Sequence, residues 1–282
     1  MTSSVITLTT DFGTTSPYIS LIKGAIICVN PVARWVDVTH DIGLGNVFSA
    51  AYILGTLDRY FPQGTVHLAV VDTGVGSARN PLIIDMGSQF FVGPDNGLVT
   101  YLFHNNKEAI RAQISANSEN GIRIEVPSNW RAYQLDKPEY WNKPISSTVH
   151  GRDIFAPVAA QLSLGLHPSY MGSPVKDFIV VDIPFPNKEG QKVQGEVIHI
   201  DSFGNIVFNI TEDWIHGDKS TLKIQLGTVT VSGINRYYAE KPDEFMVLIN
   251  SAGYLELAYP NKHAAELLHA HVGQSVQLDL SE

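Results

Sequence analysis

Residues 67–82 read HLAVVDTGVGSARNPL and join an apolar strand to a polar, glycine-rich turn. Val70 and Val71 are β-branched, which favours a strand in the centre of a sheet. Asp72 follows at the end of this strand, and Arg79 comes shortly after it. The pattern therefore puts a carboxylate at the edge of the predicted sheet, with a guanidinium within reach.

Strands and helices alternate through the first half of the chain. Apolar patterns predict strands at 4–13, 34–42 and 65–72, helices at 16–31, 46–62 and 151–165, and two short strands within 81–103. Strands that alternate with helices of this length predict right-handed βαβ units and a mostly parallel sheet. We therefore expect an α/β N-terminal domain over residues 1–172.

The second half has a different pattern. Residues 173–192 contain three prolines and a charged turn, which is typical of a linker between domains. Residues 193–282 consist of short β-rich runs separated by glycine and asparagine turns. This pattern predicts a smaller, antiparallel, β-barrel-like domain at the C-terminal end.

Composition narrows the range of partners. The 282-residue chain has a net charge of −9, which disfavours binding to nucleic acid or to an anionic membrane. Neither a signal peptide nor a run of 18 apolar residues is evident, so we expect a cytoplasmic protein. The one cysteine, Cys28, is expected to be a packed apolar residue.

Polar side chains lie at the ends of all three predicted parallel strands. Asp11 lies near the end of the first strand, His40 and Asp41 near the end of the second, and Asp72 at the end of the third. Each could simply cap a helix or stabilise a turn. Because ligands bind at the carboxyl ends of parallel strands, three such positions at one edge favour a ligand site.

His150 lies just before the predicted helix at 151–165, in the sequence HGRDIFAP. A single histidine is usually structural. Together with Asp72 and Arg79, however, it would form an acid/base set, since aspartate can orient a water and arginine supplies a permanent charge.

Two turns in the C-terminal domain carry polar side chains. One turn holds Asp201, Phe203 and Asn205, and the other holds Asn250 and Ser251. Both could be ordinary hairpin turns. The asparagine amide could also hydrogen-bond to the edge of an adenine. Phe203 could stack on the adenine ring, and Asp201 could pair with an ammonium group.

Seven ordered motifs carry a resemblance to a known family. They are LTTDFGTTSPYISLIKG, DVTHDI, AVVDTGVGSARNPL, FFVGPDNGL, HGRDIFAP, IDSFGNIVFNI and NSAGYLELA. In this order, from Thr7 to about Ala265, they resemble the S-adenosyl-L-methionine (SAM) hydroxide adenosyltransferases, which are adenosine-forming SAM hydrolases related to fluorinase and chlorinase.

The resemblance implies an α/β domain, a β-barrel-like domain and a homotrimer that binds SAM between neighbouring subunits. It also implies hydrolysis of SAM to adenosine and L-methionine without a cofactor. The water-activating set would be Asp72, Arg79 and His150. The substrate contacts would be Asp11 for the ribose diol, Asp201, Asn205 and Ser251 for the methionine and adenine ends, and Phe203 and Tyr238 as aromatic walls.

The chain departs from the family pattern at four places. Thr73 replaces a usual proline, Ser16 replaces a common aspartate, and Asn46 stands where an acidic residue is frequent. The YPNK sequence at 259–262 is also unusual. Ser16 affects the contacts expected at the methionine end of the substrate.

Three other functions are alternatives to SAM hydrolysis. A SAM-dependent halogenase would share the scaffold but would not need Arg79 and His150. A non-catalytic protein that binds adenosyl ligands would need the C-terminal motifs only. A metal-dependent phosphoesterase would use Asp11, His40, Asp41, Asp72 and His150 as ligands, but no typical metal-ligand spacing supports it.

Overall fold

The computed structural model describes residues 4–72, 74, 76, 79–106, 114–118, 121–216 and 218–280. The chain divides into two compact units, Met1–Asp182 and Ile183–Glu282. The division falls within the 173–192 stretch that the sequence predicts to connect two domains.

The first unit contains ten strands and four α-helices among its described residues. The strands are β1 Val5–Thr10, β2 Arg34–Thr39, β3 Val66–Val70, β4 Pro81–Asp85, β5 Phe90–Pro94, β6 Ile114–Ser118, β7 Gly121–Glu125, β8 Arg131–Gln134, β9 Ser173–Val175 and β10 Asp177–Val180. The helices are α1 Tyr18–Val29, α2 Val47–Gly55, α3 Thr100–His104 and α4 Ala156–Ser163.

The main sheet has the strand order β2-β1-β3-β5-β4-β8-β9. The pairs β2–β1, β1–β3 and β3–β5 are parallel, whereas the pairs on the β4 side are antiparallel. A second sheet has the order β10-β7-β6. The α/β prediction is confirmed, and the sheet is mixed, with its parallel strands on one side.

The central strand β3 is buried on both faces. Leu68 and Val70 pack in a core with residues of α1 and α4, while Ala69 and the following Val71 pack in a core with residues of α2 and α3. Helices thus cover both faces of the sheet at β3, and the buried chain continues through Val71 to the carboxyl end of the strand. Asp72 comes at that end.

Residues 173–180, which the sequence predicts to lie in a linker, form β9 and β10. β9 pairs with β8 and β10 pairs with β7, so both strands are part of the first unit. Pro174 fits in β9 because β9 is an edge strand, where proline need not donate a ladder hydrogen bond.

Cys28 is exposed on α1. The prediction that it is a packed apolar residue is therefore wrong. The buried side of this helix is formed by Ile22, Ala25 and Ile26, and Cys28 lies outside that stripe. Among the described residues, no helix is long and apolar enough to cross a membrane.

The second unit contains eight strands and one α-helix in its described part. They are β11 Asn187–Glu189, β12 Lys192–Ile200, β13 Ile206–Thr211, β14 Lys223–Leu226, β15 Val229–Ser232, β16 Met246–Ile249, β17 Tyr254–Ala258, α5 Ala264–Leu268 and β18 Ser275–Asp279. The antiparallel order is β15-β14-β18-β12-β13-β17-β16, with β11 paired to β12.

The two ends of this strand path approach each other. The backbone N–H of Asn235, just after β15, donates to the carbonyl oxygen of Val247 in β16 at 2.7 Å. The sheet therefore nearly closes around an apolar core, which confirms the barrel-like prediction for the C-terminal part.

Candidate active site

Asp72 and Arg79 form an ion pair at the carboxyl end of β3. Arg79 Nη2 donates to Asp72 Oδ2, and the backbone N–H of Gly74 donates to Asp72 Oδ1 at 2.9 Å. The side chains are only 3% (Asp72) and 8% (Arg79) exposed. Burial lowers the pKa of Arg79 to about 10, so the guanidinium stays charged at neutral pH. Thr73, one of the departures from the family pattern, lies outside the described residues.

His150 precedes a single π-helical turn, Gly151–Phe155, which leads into α4. Such turns often occur at functional positions. A Cβ atom on Gly151 would lie 3.3 Å from Ile22 Cδ1 and 3.4 Å from Val70 Cγ1. Glycine therefore lets the turn approach β3 closely, which brings His150 to the same end of the sheet as Asp72.

The charge state of His150 depends on its surroundings. Burial lowers the pKa of His150 and the positive charge of Arg79 lowers it further, while Asp153 acts in the opposite direction. The imidazole is thus neutral at neutral pH and able to accept a proton.

The three side chains line two cavities that share His150. A cavity of about 260 Å³ is lined by Asp11, Asp72 and His150, among others. A second cavity, of about 480 Å³, is lined by Arg79 and His150. The structure therefore brings together Asp11, Asp72, Arg79 and His150, all within the first unit.

Asp11 is held by the loop that precedes α2. The backbone N–H of Gly45 donates to Asp11 Oδ2 at 2.9 Å. Phe12 and Tyr18 line the same cavity and pack edge to face, with ring centroids 5.8 Å apart. Neither aromatic residue was among the predicted site residues, although Phe12 directly follows the strand-end Asp11.

His40 and Asp41 are not brought into this site. His40 Nδ1 is hydrogen-bonded to Thr10 Oγ1 at 2.9 Å, and its Nε2 lies 3.2 Å from Asp37 Oδ1. Asp41 is exposed. Within the described part of the chain, no group of three or more His, Cys, Asp or Glu residues could hold a metal ion.

Two departures from the family pattern have local structural partners. Asn46 caps α2, because its Oδ1 accepts from the backbone N–H of Ser49 at 3.0 Å. Asparagine and aspartate are about equally good at this position. The Ser16 hydroxyl donates to the carbonyl oxygen of Phe12 at 2.8 Å.

In the second unit, Asp201 organises the turn between β12 and β13. Its Oδ1 accepts from the backbone N–H groups of Phe203 and Asn205, at 2.9 and 2.8 Å, and its Oδ2 accepts from Asn205 Nδ2 at 2.9 Å. Phe203 is highly exposed at the tip of the turn, while Asn205 is nearly buried. Asp201 and Asn205 therefore form one preorganised pair in the turn that carries the exposed Phe203 ring.

Tyr238 and Ser251 lie on two other segments of the second unit, and the charge of Asp201 acts on Tyr238. Ser251 is exposed in the turn after β16. The Tyr238 hydroxyl donates to Glu256 Oε1 at 2.7 Å. Glu256 was not among the predicted site residues, although a lone carboxylate within the apolar run YLELA could have indicated it.

Arg79→Gln should raise the pKa of His150, because removal of the positive charge makes protonation of the imidazole less costly. The pKa can be measured by NMR titration, with the signal assigned by its loss in His150→Gln. Arg131→Gln, at an exposed position on β8, is the matched control and should leave the pKa unchanged. A His150 pKa that stays the same or falls in Arg79→Gln would contradict this coupling.

Comparison with known proteins identifies the family of the chain. Residues 6–172 match the SAM hydroxide adenosyltransferase N-terminal domain, and residues 195–277 match the C-terminal domain of the same family. The chain is 33% identical to the (R)-S-adenosyl-L-methionine hydrolase of Methanocaldococcus jannaschii, over 97% of this chain and 95% of that protein. The hydrolase of the same name from Thermus thermophilus is also 33% identical, over 95% of this chain and 96% of its own.

A more distant relative and a solved structure also match nearly the whole chain. A fluorinase from Actinoplanes sp. is 23% identical, over 95% of this chain and 93% of its own. The crystal structure of an uncharacterized conserved protein from Thermotoga maritima has a TM-score of 0.85 and 30% identity, over 97% of this chain and 99% of that one. The chain belongs to the SAM hydroxide adenosyltransferase family.

Proposed function

We propose that this protein hydrolyses SAM to adenosine and L-methionine by in-line attack of water or hydroxide on the ribose C5′ atom. The observation that carries the proposal is the buried Asp72–Arg79 pair next to a neutral His150, at a cavity that Asp11 also lines. Family membership and the hydrolase names of the relatives support it.

The reaction itself places modest demands on the protein. A bond forms between the water oxygen and C5′, the C5′–S bond breaks, and the sulfur keeps the electron pair as the thioether of methionine. Because a sulfonium is already a good leaving group, it needs no protonation. Correct alignment of water and C5′ can supply roughly 7–11 kcal/mol in favourable model systems.

Each member of the set has a distinct role in this proposal. His150 accepts the proton that the water loses, since its lowered pKa keeps it neutral. Arg79 favours hydroxide over water through its positive charge. Asp72 orients the water and holds the Arg79 guanidinium in place.

Substrate binding is assigned to both units. Asp11 binds the ribose diol, while Asp201, Asn205 and Ser251 bind the methionine and adenine ends. The exposed rings of Phe203 and Tyr238 form aromatic walls for stacking. No metal or organic cofactor is required by this chemistry.

The proposal includes a cytoplasmic homotrimer with shared sites. All proposed chemical groups lie in the first unit, whereas the proposed adenine and methionine contacts lie in the second. A cyclic trimer would provide three equivalent interfaces, each completing one site with a neighbouring subunit.

Light scattering should give the mass of three chains, and the mass of one chain would contradict shared sites.

Purified protein incubated with SAM in the presence of a chelator should produce adenosine and L-methionine in equal amounts. Chromatography of the products tests this directly. Methylthioadenosine or S-adenosylhomocysteine without adenosine would refute the reaction. A 5′-halogenated adenosine, formed only when chloride or fluoride is added, would favour a halogenase, and bound but unchanged SAM would favour a binding protein.

His150→Ala and Asp72→Ala should lower kcat by about 10²-fold or more, because both remove groups that act on the attacking water. Asp11→Ala should instead raise KM, since a ribose contact stabilises ground state and transition state alike. Steady-state kinetics separates the two effects. Asp41→Ala, an exposed aspartate at the end of another parallel strand, is the control and should keep both parameters.

Wild-type turnover by His150→Ala would remove this residue from the chemistry. Thermal unfolding of each variant checks its fold, which matters most for Asp72→Ala because it leaves the buried Arg79 charge without its carboxylate.

A further inference from the structure

Glu256 is a buried carboxylate for which the proposed mechanism has no use. It lies in β17, where the flanking Leu255 and Leu257 pack into the barrel core. Because side chains alternate along a strand, Glu256 points to the opposite face of the sheet. There it is only 4% exposed. A buried acidic group is costly unless it is hydrogen-bonded, so its partners indicate why it is there.

The two oxygens of Glu256 accept from different segments. The Tyr238 hydroxyl donates to Oε1 at 2.7 Å, and Asn250 Nδ2 donates to Oε2 at 3.4 Å. Asn250 is itself fixed, since its Oδ1 accepts from the backbone N–H groups of Ala252 and Tyr254, at 3.0 and 3.1 Å. Glu256 thus links the loop that carries Tyr238 to the turn that carries Ser251.

The hydrogen bond decides which part of Tyr238 is available to a ligand. The residue is 45% exposed, yet its hydroxyl is directed at Glu256. Burial, followed by the bond to Glu256, raises the pKa of the Tyr238 phenol, so the hydroxyl remains a donor. What Tyr238 offers is the face of its ring, which suits stacking on a planar base rather than hydrogen bonding to its edge.

The loop that carries Tyr238 does not depend on Glu256 for its own conformation. Asn235 Nδ2 donates to Glu240 Oε2 at 3.0 Å, and the backbone N–H of Arg236 donates to Glu240 Oε1 at 3.3 Å. Loss of the Tyr238 hydroxyl should therefore release the ring without unfolding the loop.

We propose that Glu256 is a positioning residue for the adenosyl group, which it serves by holding the Tyr238 ring and the Asn250–Ser251 turn in fixed relative positions. This inference rests on the proposed function for its substrate, and it assigns Glu256 to affinity rather than to chemistry. Neither oxygen of Glu256 needs to touch the ligand.

Tyr238→Phe and Glu256→Gln should test it. The first keeps the ring and removes the hydroxyl. Glu256→Gln keeps the shape of the side chain, but the amide NH2 group replaces one acceptor oxygen. It therefore meets either the Tyr238 hydroxyl or Asn250 Nδ2, both of which are donors. Each should raise KM for SAM by about 5-fold, the effect of one lost hydrogen bond, while kcat stays within about 2-fold of wild type. The double variant should be no worse than the poorer single variant, because both act through one link.

Matched controls are available in the same unit. Tyr237→Phe removes the hydroxyl of the adjacent exposed tyrosine, and Glu196→Gln neutralises a partly buried glutamate in β12. Both should leave KM unchanged. Calorimetric binding of adenosine to all variants, which requires no turnover, should show the same order of affinities as KM.

The outcomes separate this inference from the proposed function. Wild-type KM and adenosine affinity in a folded Tyr238→Phe would overturn the role of Glu256, even if Glu256→Gln failed to fold. A fall in kcat with unchanged KM would also overturn it. If the wild-type protein bound adenosine but made none from SAM, the proposed reaction would fail, while the adenosine affinities would still decide the role of Glu256.

Discussion

The ion pair between Asp72 and Arg79 is the interaction on which the first unit's site depends. Both side chains are nearly inaccessible to solvent, and a charge buried without its partner costs several kcal/mol. The pair therefore holds Arg79 at the end of β3. It also keeps a permanent positive charge near His150, where the charge helps to hold the imidazole in its neutral form.

The position of this pair follows from the packing of β3. Its side chains are buried alternately against two helical layers, so the strand is fixed in the middle of the first unit. The close approach of Gly151 to Val70 then sets the distance between the α4 segment and β3. A reaction that depends mainly on alignment benefits from groups that project from such rigid elements.

Much of this arrangement could be predicted from the sequence, because apolar alternation and strand-end residues locate a sheet edge. Asp11 and Asp72 were predicted in this way and line one cavity, but His40 was predicted in the same way and instead pairs with Thr10 and Asp37. Strand position does not reveal the direction of a side chain. β9 and the adjoining β10 were missed because Pro174 in β9 and the two prolines after β10 resemble a linker. Glu256 was missed because its partner Tyr238 is distant in sequence.

The central claim is that water attacks the ribose C5′ atom at the site formed by Asp72, Arg79 and His150. Turnover of SAM in water enriched in oxygen-18, followed by mass spectrometry of both products, tests this claim most directly. Attack at C5′ puts the label in the 5′-hydroxyl of adenosine and leaves methionine unlabelled. Unlabelled adenosine, or label in the methionine, would contradict attack of water at C5′.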